Sequence, residues 1–149
     1  MSDTIFPADD KKSDLPTPLG FCWVEIPVKD MERALKFYSD AFGWTGKSHG
    51  MESYQIVENE FKNLNGALRL VTEEEHVAGT AARHTMKPFI GLRSVKEPLA
   101  KVKEAGGEII NDGEEIPGDM GFFGEFYDSE RNVVGIWAKK MSLEEKKDD

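Results

Sequence analysis

Glu25 is the residue whose type and position best suit acid-base chemistry. It lies in residues 21–28, where apolar side chains occupy every second position, a pattern that predicts a strand. Glu25 then shares its face with Trp23, on the side of a proposed cavity. Apolar surroundings would raise the pKa of its carboxyl and suit it to proton transfer near neutrality. The alternative is that Glu25 pairs with a base such as Arg93, or is partly solvated at the rim.

Arg93 is the second candidate for a chemical role. Alternation along a strand in the second half of the chain places Phe89, Gly91 and Arg93 on one face. The guanidinium of Arg93 would then be able to contact an anionic or carbonyl oxygen of a substrate. A surface arginine or an ion-paired arginine is the alternative.

The last hairpin supplies the remaining candidates. If Tyr127 faces Val133, one side of this hairpin carries Phe123, Glu125, Tyr127, Gly135 and Trp137. Glu125 then adjoins Gly135, whereas a slip of one residue would turn it away. A flat-walled slot for a planar ligand would be formed by Trp23, Phe89, Phe123 and Trp137, with gaps at Gly91 and Gly135. Core packing explains any one of these aromatic residues equally well.

Two similar series of elements must position these residues. In the first half, a strand is followed by a helix from Asp30 to Gly43 and by strands at 53–57 and 67–71. The second half repeats the order, with a strand at 89–92, a helix ended by Gly106 and Gly107, and strands at 108–110, 121–127 and 133–138. The expected fold class is α+β, with two βαβββ modules forming a curved eight-stranded cup and helices outside.

The domain organisation follows from length and composition. At 149 residues the chain is expected to form a single domain, residues 19–140, with modules at 19–72 and 87–140. Residues 1–18 and 141–149 are rich in charge and are expected to be tails.

Charge and cysteine content exclude several classes of partner. The formal net charge of -9 disfavours nucleic acid and anionic membrane surfaces. No apolar stretch approaches the roughly 20 residues of a membrane span. The single cysteine, Cys22, fits a reducing compartment, so a cytoplasmic location is expected.

Two motifs resemble those of a known family. The run from Trp23 to Tyr38, followed by Phe42-Gly43-Trp44, resembles the opening module of the vicinal oxygen chelate superfamily, which includes glyoxalases, bleomycin-resistance proteins and extradiol dioxygenases. The run Asp128-Ser129-Glu130-Arg131-Asn132 is similar to the family's Asp-Pro-x-Gly-Asn turn, with Ser129 and Arg131 in place of Pro and Gly.

The resemblance also implies where metal ligands would stand. Metal-using members present histidines at the positions of Trp23 and Phe89 and a glutamate at Gly135. A fourth ligand falls within residues 65–71, which contain no His, Glu or Cys. Divalent metals need several N, O or S donors, so neither a metal nor another cofactor is expected. A recruited site from His49 and Glu52 is an alternative.

Three functions are therefore weighed. The first is a metal-independent small-molecule-binding protein of the glyoxalase/bleomycin-resistance type, with a planar or apolar ligand in an aromatic-lined cup. The alternative is a cofactor-free isomerase, cyclase or lyase with Glu25 as general acid or base and Arg93 or Tyr127 stabilising an oxyanion. The third is a metal-dependent glyoxalase or dioxygenase. A purely structural role, in which the fold only pairs with itself or with another protein, is a further alternative. A homodimer is expected by resemblance.

Overall fold

The computed structural model describes residues 23–48, 50–59, 66–80 and 85–144. The predicted N-terminal tail and most of the predicted C-terminal tail lie outside these residues, as do Cys22, His49 and Asn65.

The first module contains one helix and four strands. Its elements are β1 (Val24–Val28), α1 (Met31–Phe42), β2 (Thr45–Ser48), β3 (Tyr54–Glu58) and β4 (Gly66–Leu70). As predicted, Asp30 caps α1, and its side chain accepts a hydrogen bond from the Arg33 amide at 3.0 Å. Gly43 ends the helix in the left-handed conformation, with φ of 72°.

The second module repeats this order. Its elements are β5 (Phe89–Ser94), α2 (Lys96–Glu104), β6 (Glu108–Glu115), β7 (Phe122–Tyr127) and β8 (Val133–Lys140). The predicted α+β class with two βαβββ modules is confirmed. Strand β2 was not among the strands predicted from sequence, and β6 is longer than predicted.

The eight strands form two four-stranded sheets, in the orders β1-β4-β3-β2 and β5-β8-β7-β6. In each sheet the first and last strands of the module are parallel, and the other pairs are antiparallel. Strands β1 and β5 are both edge strands, and no ladder joins the two sheets within the described residues. The modules are therefore held together by side chains.

Both helices and one face of each sheet share a single apolar core. Tyr38 stacks on Trp44 with ring centroids 4.9 Å apart. The ring of Phe126 in β7 lies 6.1 Å from that of Phe37 and 5.7 Å from that of Phe42, both in α1. These aromatic contacts join the helix of the first module to the sheet of the second.

A buried carboxylate forms the other link between the modules. Glu130 is fully buried in the turn between β7 and β8, residues 128–132, which we call the closing turn. It accepts hydrogen bonds from the amides of Lys29 (2.7 Å) and Asp30 (2.9 Å) and from the guanidinium of Arg33 (2.7 and 2.9 Å). Burial raises the pKa of Glu130, but the hydrogen bonds from Arg33 and these amides outweigh it, so the pKa is lowered.

Two further bonds complete the contact of the closing turn with the first module. The hydroxyl of Tyr38 donates to Asp128 at 2.7 Å, and Asn132 donates from Nδ2 to the carbonyl of Pro27 at 2.8 Å. Arg131 adopts a φ of 67°, a left-handed conformation that glycine favours, and the resemblance implies a glycine at this position.

We predict that Glu130→Ala lowers the free energy of unfolding by about 2–3 kcal/mol, because the amides of Lys29 and Asp30 lose a buried charged acceptor at the N-terminus of α1. Chemical denaturation measures the loss. Glu73→Ala removes the exposed partner of Lys29, with a side chain 81% exposed, and is the control, with an expected loss under about 1 kcal/mol. Equal losses in the two variants would contradict the importance of the Glu130 contact.

Candidate functional site

Each sheet has a second face, opposite the shared core, and these two faces carry the residues singled out from sequence. In β1, Ile26 and Val28 are buried in the core, whereas the side chain of Glu25 is 41% exposed. Trp23 and Glu25 therefore lie on the open face of the first sheet, as alternation predicted.

Glu25 is held in a hydrogen-bonded network on this face. Both of its oxygens accept from the guanidinium of Arg69, each at 3.0 Å. The hydroxyl of Tyr54 donates to Glu25 at 2.7 Å and accepts from the indole N–H of Trp23, also at 2.7 Å. The guanidinium of Arg69 lies 4.7 Å from the centre of the Tyr54 ring. Each of the four side chains in this network therefore has at least one hydrogen-bonding partner.

This network reverses the expected electrostatics of Glu25. Hydrogen bonds from Arg69, and then from Tyr54, lower the pKa of Glu25 below its usual value. The prediction of a raised pKa in apolar surroundings was wrong, because β4 places Arg69 beside β1. The ion pair weighed as an alternative does form, but with Arg69 rather than Arg93. Neither Tyr54 nor Arg69 was singled out from sequence, since the pairing of β1 with β4 was not predicted.

The open face of the second sheet has the predicted register. Tyr127 lies opposite Val133, Glu125 opposite Gly135, and Phe123 opposite Trp137. Phe89 pairs with Gly135, and Gly91 with Trp137. The second-module candidates therefore share one face, with Arg93 at its end.

Phe89 fills the position that Gly135 leaves empty. A Cβ atom at residue 135 would overlap the ring of Phe89, so the expected gap at Gly135 is occupied. At Gly91 the expected gap is present, because no atom lies within 4 Å of where a Cβ would be. The open space therefore lies at Gly91, whose partner on β8 is Trp137, rather than at Gly135.

Glu125 is paired on this face. Its carboxylate forms a short ion pair with Lys87, and the two side chains are 17% and 26% exposed. The Lys87 ammonium lies 5.9 Å from the centre of the Phe89 ring. Lys87 was not identified from sequence, because it precedes β5 in a segment interpreted as a linker.

The aromatic residues here form a partly exposed surface. Phe89 is 50% and Trp137 39% exposed. The indole N–H of Trp137 donates to the carbonyl of Met120 at 2.9 Å, which fixes the ring. The Arg131 guanidinium lies 3.9 Å from the centre of the Tyr127 ring. We call the surface formed by Phe89, Gly91, Phe123 and Trp137 the aromatic face.

Trp23 does not join this surface. Its hydrogen bond to Tyr54 is made within the first sheet, whereas Phe89, Phe123 and Trp137 lie on the second sheet. The four-residue slot expected from sequence is thus represented by three aromatic residues of the second module.

A cleft of about 990 Å³ lies between the modules and adjoins the aromatic face through β5. This volume is at the upper end of that of small-molecule pockets. One wall is apolar and includes Val24, Phe42 and Trp44, and the other includes Ile90 and Glu97. Hydrogen bonds from Ser142 and Ser94 lower the pKa of Glu97 to about 2.

The residues present do not fit a metal. Phe89 and Gly135 offer no donor, and Trp23 offers only an N–H that is already bonded. Residues 66–71 contain no His, Glu or Cys. Across the part of the chain that the structure describes, no group of three or more His, Cys, Asp or Glu side chains is arranged to hold a metal ion.

Neither helix in the described ranges has the length and apolar character required to cross a membrane.

Comparisons with known proteins agree with this architecture. Residues 21–58 match the family model "Bleomycin resistance protein-like N-terminal". A glyoxylase-like domain-containing protein from Didymella fabae is 27% identical over 124 residues, which are 78% of this chain and 91% of the relative.

Two solved structures show the same fold. A glyoxalase-related enzyme from Fulvimarina pelagi has a TM-score of 0.60 at 20% identity, with 81% of this chain and 88% of that chain covered. The fosfomycin resistance protein FosX from Listeria monocytogenes, in complex with Mn(II) and a dihydroxypropylphosphonic acid, has a TM-score of 0.61 at 16% identity, with 85% and 94% covered. Together with the repeated modules, these findings show that the chain has the fold of these two structures and that its N-terminal part is similar to bleomycin-resistance-like proteins.

Proposed function

We propose that this protein is a metal-independent small-molecule-binding protein of the glyoxalase/bleomycin-resistance type, with a planar or apolar ligand bound at the aromatic face. The observation that carries the proposal is the packing of Phe89 over Gly135. An aromatic ring takes the space that a metal ligand occupies in metal-using relatives, so apolar contact replaces coordination.

The surroundings of the aromatic face are suited to binding a small molecule. Phe89 and Trp137 expose large apolar surfaces next to the open space at Gly91, and few exposed apolar patches of this kind occur without a binding role. The adjoining cleft gives a bound molecule a second apolar wall.

The cofactor-free enzyme has weaker support. A general acid at neutral pH needs a raised carboxyl pKa, whereas that of Glu25 is lowered and both of its oxygens are bound by Arg69. A metal-dependent reaction has weaker support still, because the donors that Mn(II) prefers are absent from the aromatic face.

A cytoplasmic homodimer is part of the proposal. The open faces of both sheets leave side chains such as Glu25, Phe89 and Trp137 exposed in a single chain. Contact with a second copy would enclose a ligand on the aromatic face and remove its apolar surface from water.

We predict that Mn²⁺, Ni²⁺ or Zn²⁺ leaves the melting temperature of the purified protein unchanged, because a ligand stabilises the native state only if it binds it. Elemental analysis of the protein as purified is expected to find no stoichiometric metal. Stabilisation by one of these ions together with its stoichiometric recovery would overturn the metal-independent proposal.

We predict that Trp137→Ala weakens binding of any ligand found in a thermal-shift screen of planar aromatic compounds by about tenfold, because a stacking surface is lost. Isothermal titration calorimetry measures the change. Val77→Ala, which removes a 79% exposed side chain between β4 and β5, is the control and should bind normally. Full affinity in both Trp137→Ala and Phe89→Ala would exclude the aromatic face as the site.

We predict that Glu25→Gln retains full ligand affinity. Since the pKa of Glu25 is lowered by folding, its ion pair stabilises the protein above the pKa of the unfolded chain and is lost as the pH falls through the folded value. The melting temperature of the variant should therefore lie below that of the wild type at neutral pH and approach it in acid. Loss of a measured turnover with affinity retained would instead favour the enzyme alternative. Glu104→Gln, which changes an exposed carboxylate on α2, serves as control.

A further inference from the structure

Two cations lie side by side at the end of the aromatic face. The flanking pairs Leu92–Ala138 and Ser94–Lys140 place Arg93 level with Lys139 on the neighbouring strands β5 and β8. Adjacent strands are about 4.8 Å apart, and both side chains are exposed. Like charges placed directly opposite each other in a sheet destabilise it.

The carboxylates of this open face do not neutralise the pair. Glu125 is bound to Lys87, Glu108 to Arg131, and Glu114 accepts from Asn111. Among the described residues neither Arg93 nor Lys139 forms an ion pair. In a chain with 28 acidic and 19 basic residues, two adjacent cations with no carboxylate partner in the described ranges form a local site for an anion.

The open space of the aromatic face lies next to these cations. Gly91 precedes Arg93 by two residues on the same side of β5, about 6.6 Å along the strand, and it pairs with Trp137. A ring placed over Gly91 would lie beside Trp137 on the neighbouring strand. A carboxylate on that ring would then be within reach of both long cationic side chains, and the planar guanidinium matches carboxylate geometry.

We propose that the natural ligand is a planar aromatic carboxylate of one or two rings, with its ring over Gly91 against Trp137 and its carboxylate between Arg93 and Lys139. This inference rests on the proposed function and specifies its ligand class. The bound anion relieves the repulsion between the two cations, so affinity and selectivity come from the same contact.

The test compares 2-naphthoate with the neutral 2-naphthamide, which has nearly the same shape. Wild-type protein should bind the carboxylate roughly tenfold or more tightly than the amide, the range expected of charge-assisted hydrogen bonds. Calorimetry or quenching of tryptophan fluorescence measures both affinities. Added salt should weaken the carboxylate complex more than the amide complex.

Three variants test which residues cause the preference for the carboxylate over the amide. Arg93→Gln and Lys139→Gln should each reduce the preference for the carboxylate severalfold while leaving amide binding unchanged. Lys140→Gln, which removes an exposed charge one residue away on the other face, should keep it. The melting temperatures of Arg93→Gln and Lys139→Gln should equal or exceed that of the wild type, because a like-charge contact is removed.

The outcomes separate the two proposals. The carboxylate inference would be overturned if wild type bound naphthoate and naphthamide equally well, or if both Arg93→Gln and Lys139→Gln kept the full preference for naphthoate. Either result would leave intact the proposal that the protein binds a planar ligand. Binding of neither compound would overturn both.

Discussion

The fully buried carboxylate of Glu130 determines how the two modules meet. It receives two amides and a guanidinium from the start of α1, so the closing turn of the second module is fixed to the first helix. A buried charge must have such partners, and losing them would leave it unpaired at large cost. Since α1 also brings Phe37 and Phe42 against Phe126, the same contact aligns the shared core.

This arrangement uses one face of each sheet for the core and leaves the other face to solvent. The two open faces then differ in chemistry. On the first, Glu25, Arg69, Tyr54 and Trp23 bond to one another, which satisfies their polar groups and leaves little for a ligand. On the second, the aromatic face combines exposed apolar surface with unneutralised charge nearby, so binding energy remains available there.

Phe89 and Gly135 form a tightly packed apolar contact on the open face of the second sheet. The ring and the missing side chain are complementary, since a Cβ atom at Gly135 would overlap Phe89. Close packing of this kind resists single substitutions, because a larger residue at 135 must displace the ring. The chemistry of the open faces therefore depends on side chains that the fold does not dictate.

The local pattern of residues in the sequence determined several of the secondary-structure elements of this protein. Alternation and capping residues predicted β1 and the limits of α1, because these depend on neighbours in the chain. For the last hairpin the sequence left two registers open, and the structure has the one in which Tyr127 faces Val133. Strand β2 escaped prediction, since Thr45–Ser48 has no apolar alternation and is fixed by pairing with β3.

Only the tertiary structure decided which residues distant in sequence come into contact. These contacts place Arg69 beside Glu25, Lys87 beside Glu125, and Glu130 beneath α1. A carboxylate's pKa depends on which charges surround it in space. The sequence of the strand around Glu25 therefore could not show that its acidity is lowered rather than raised.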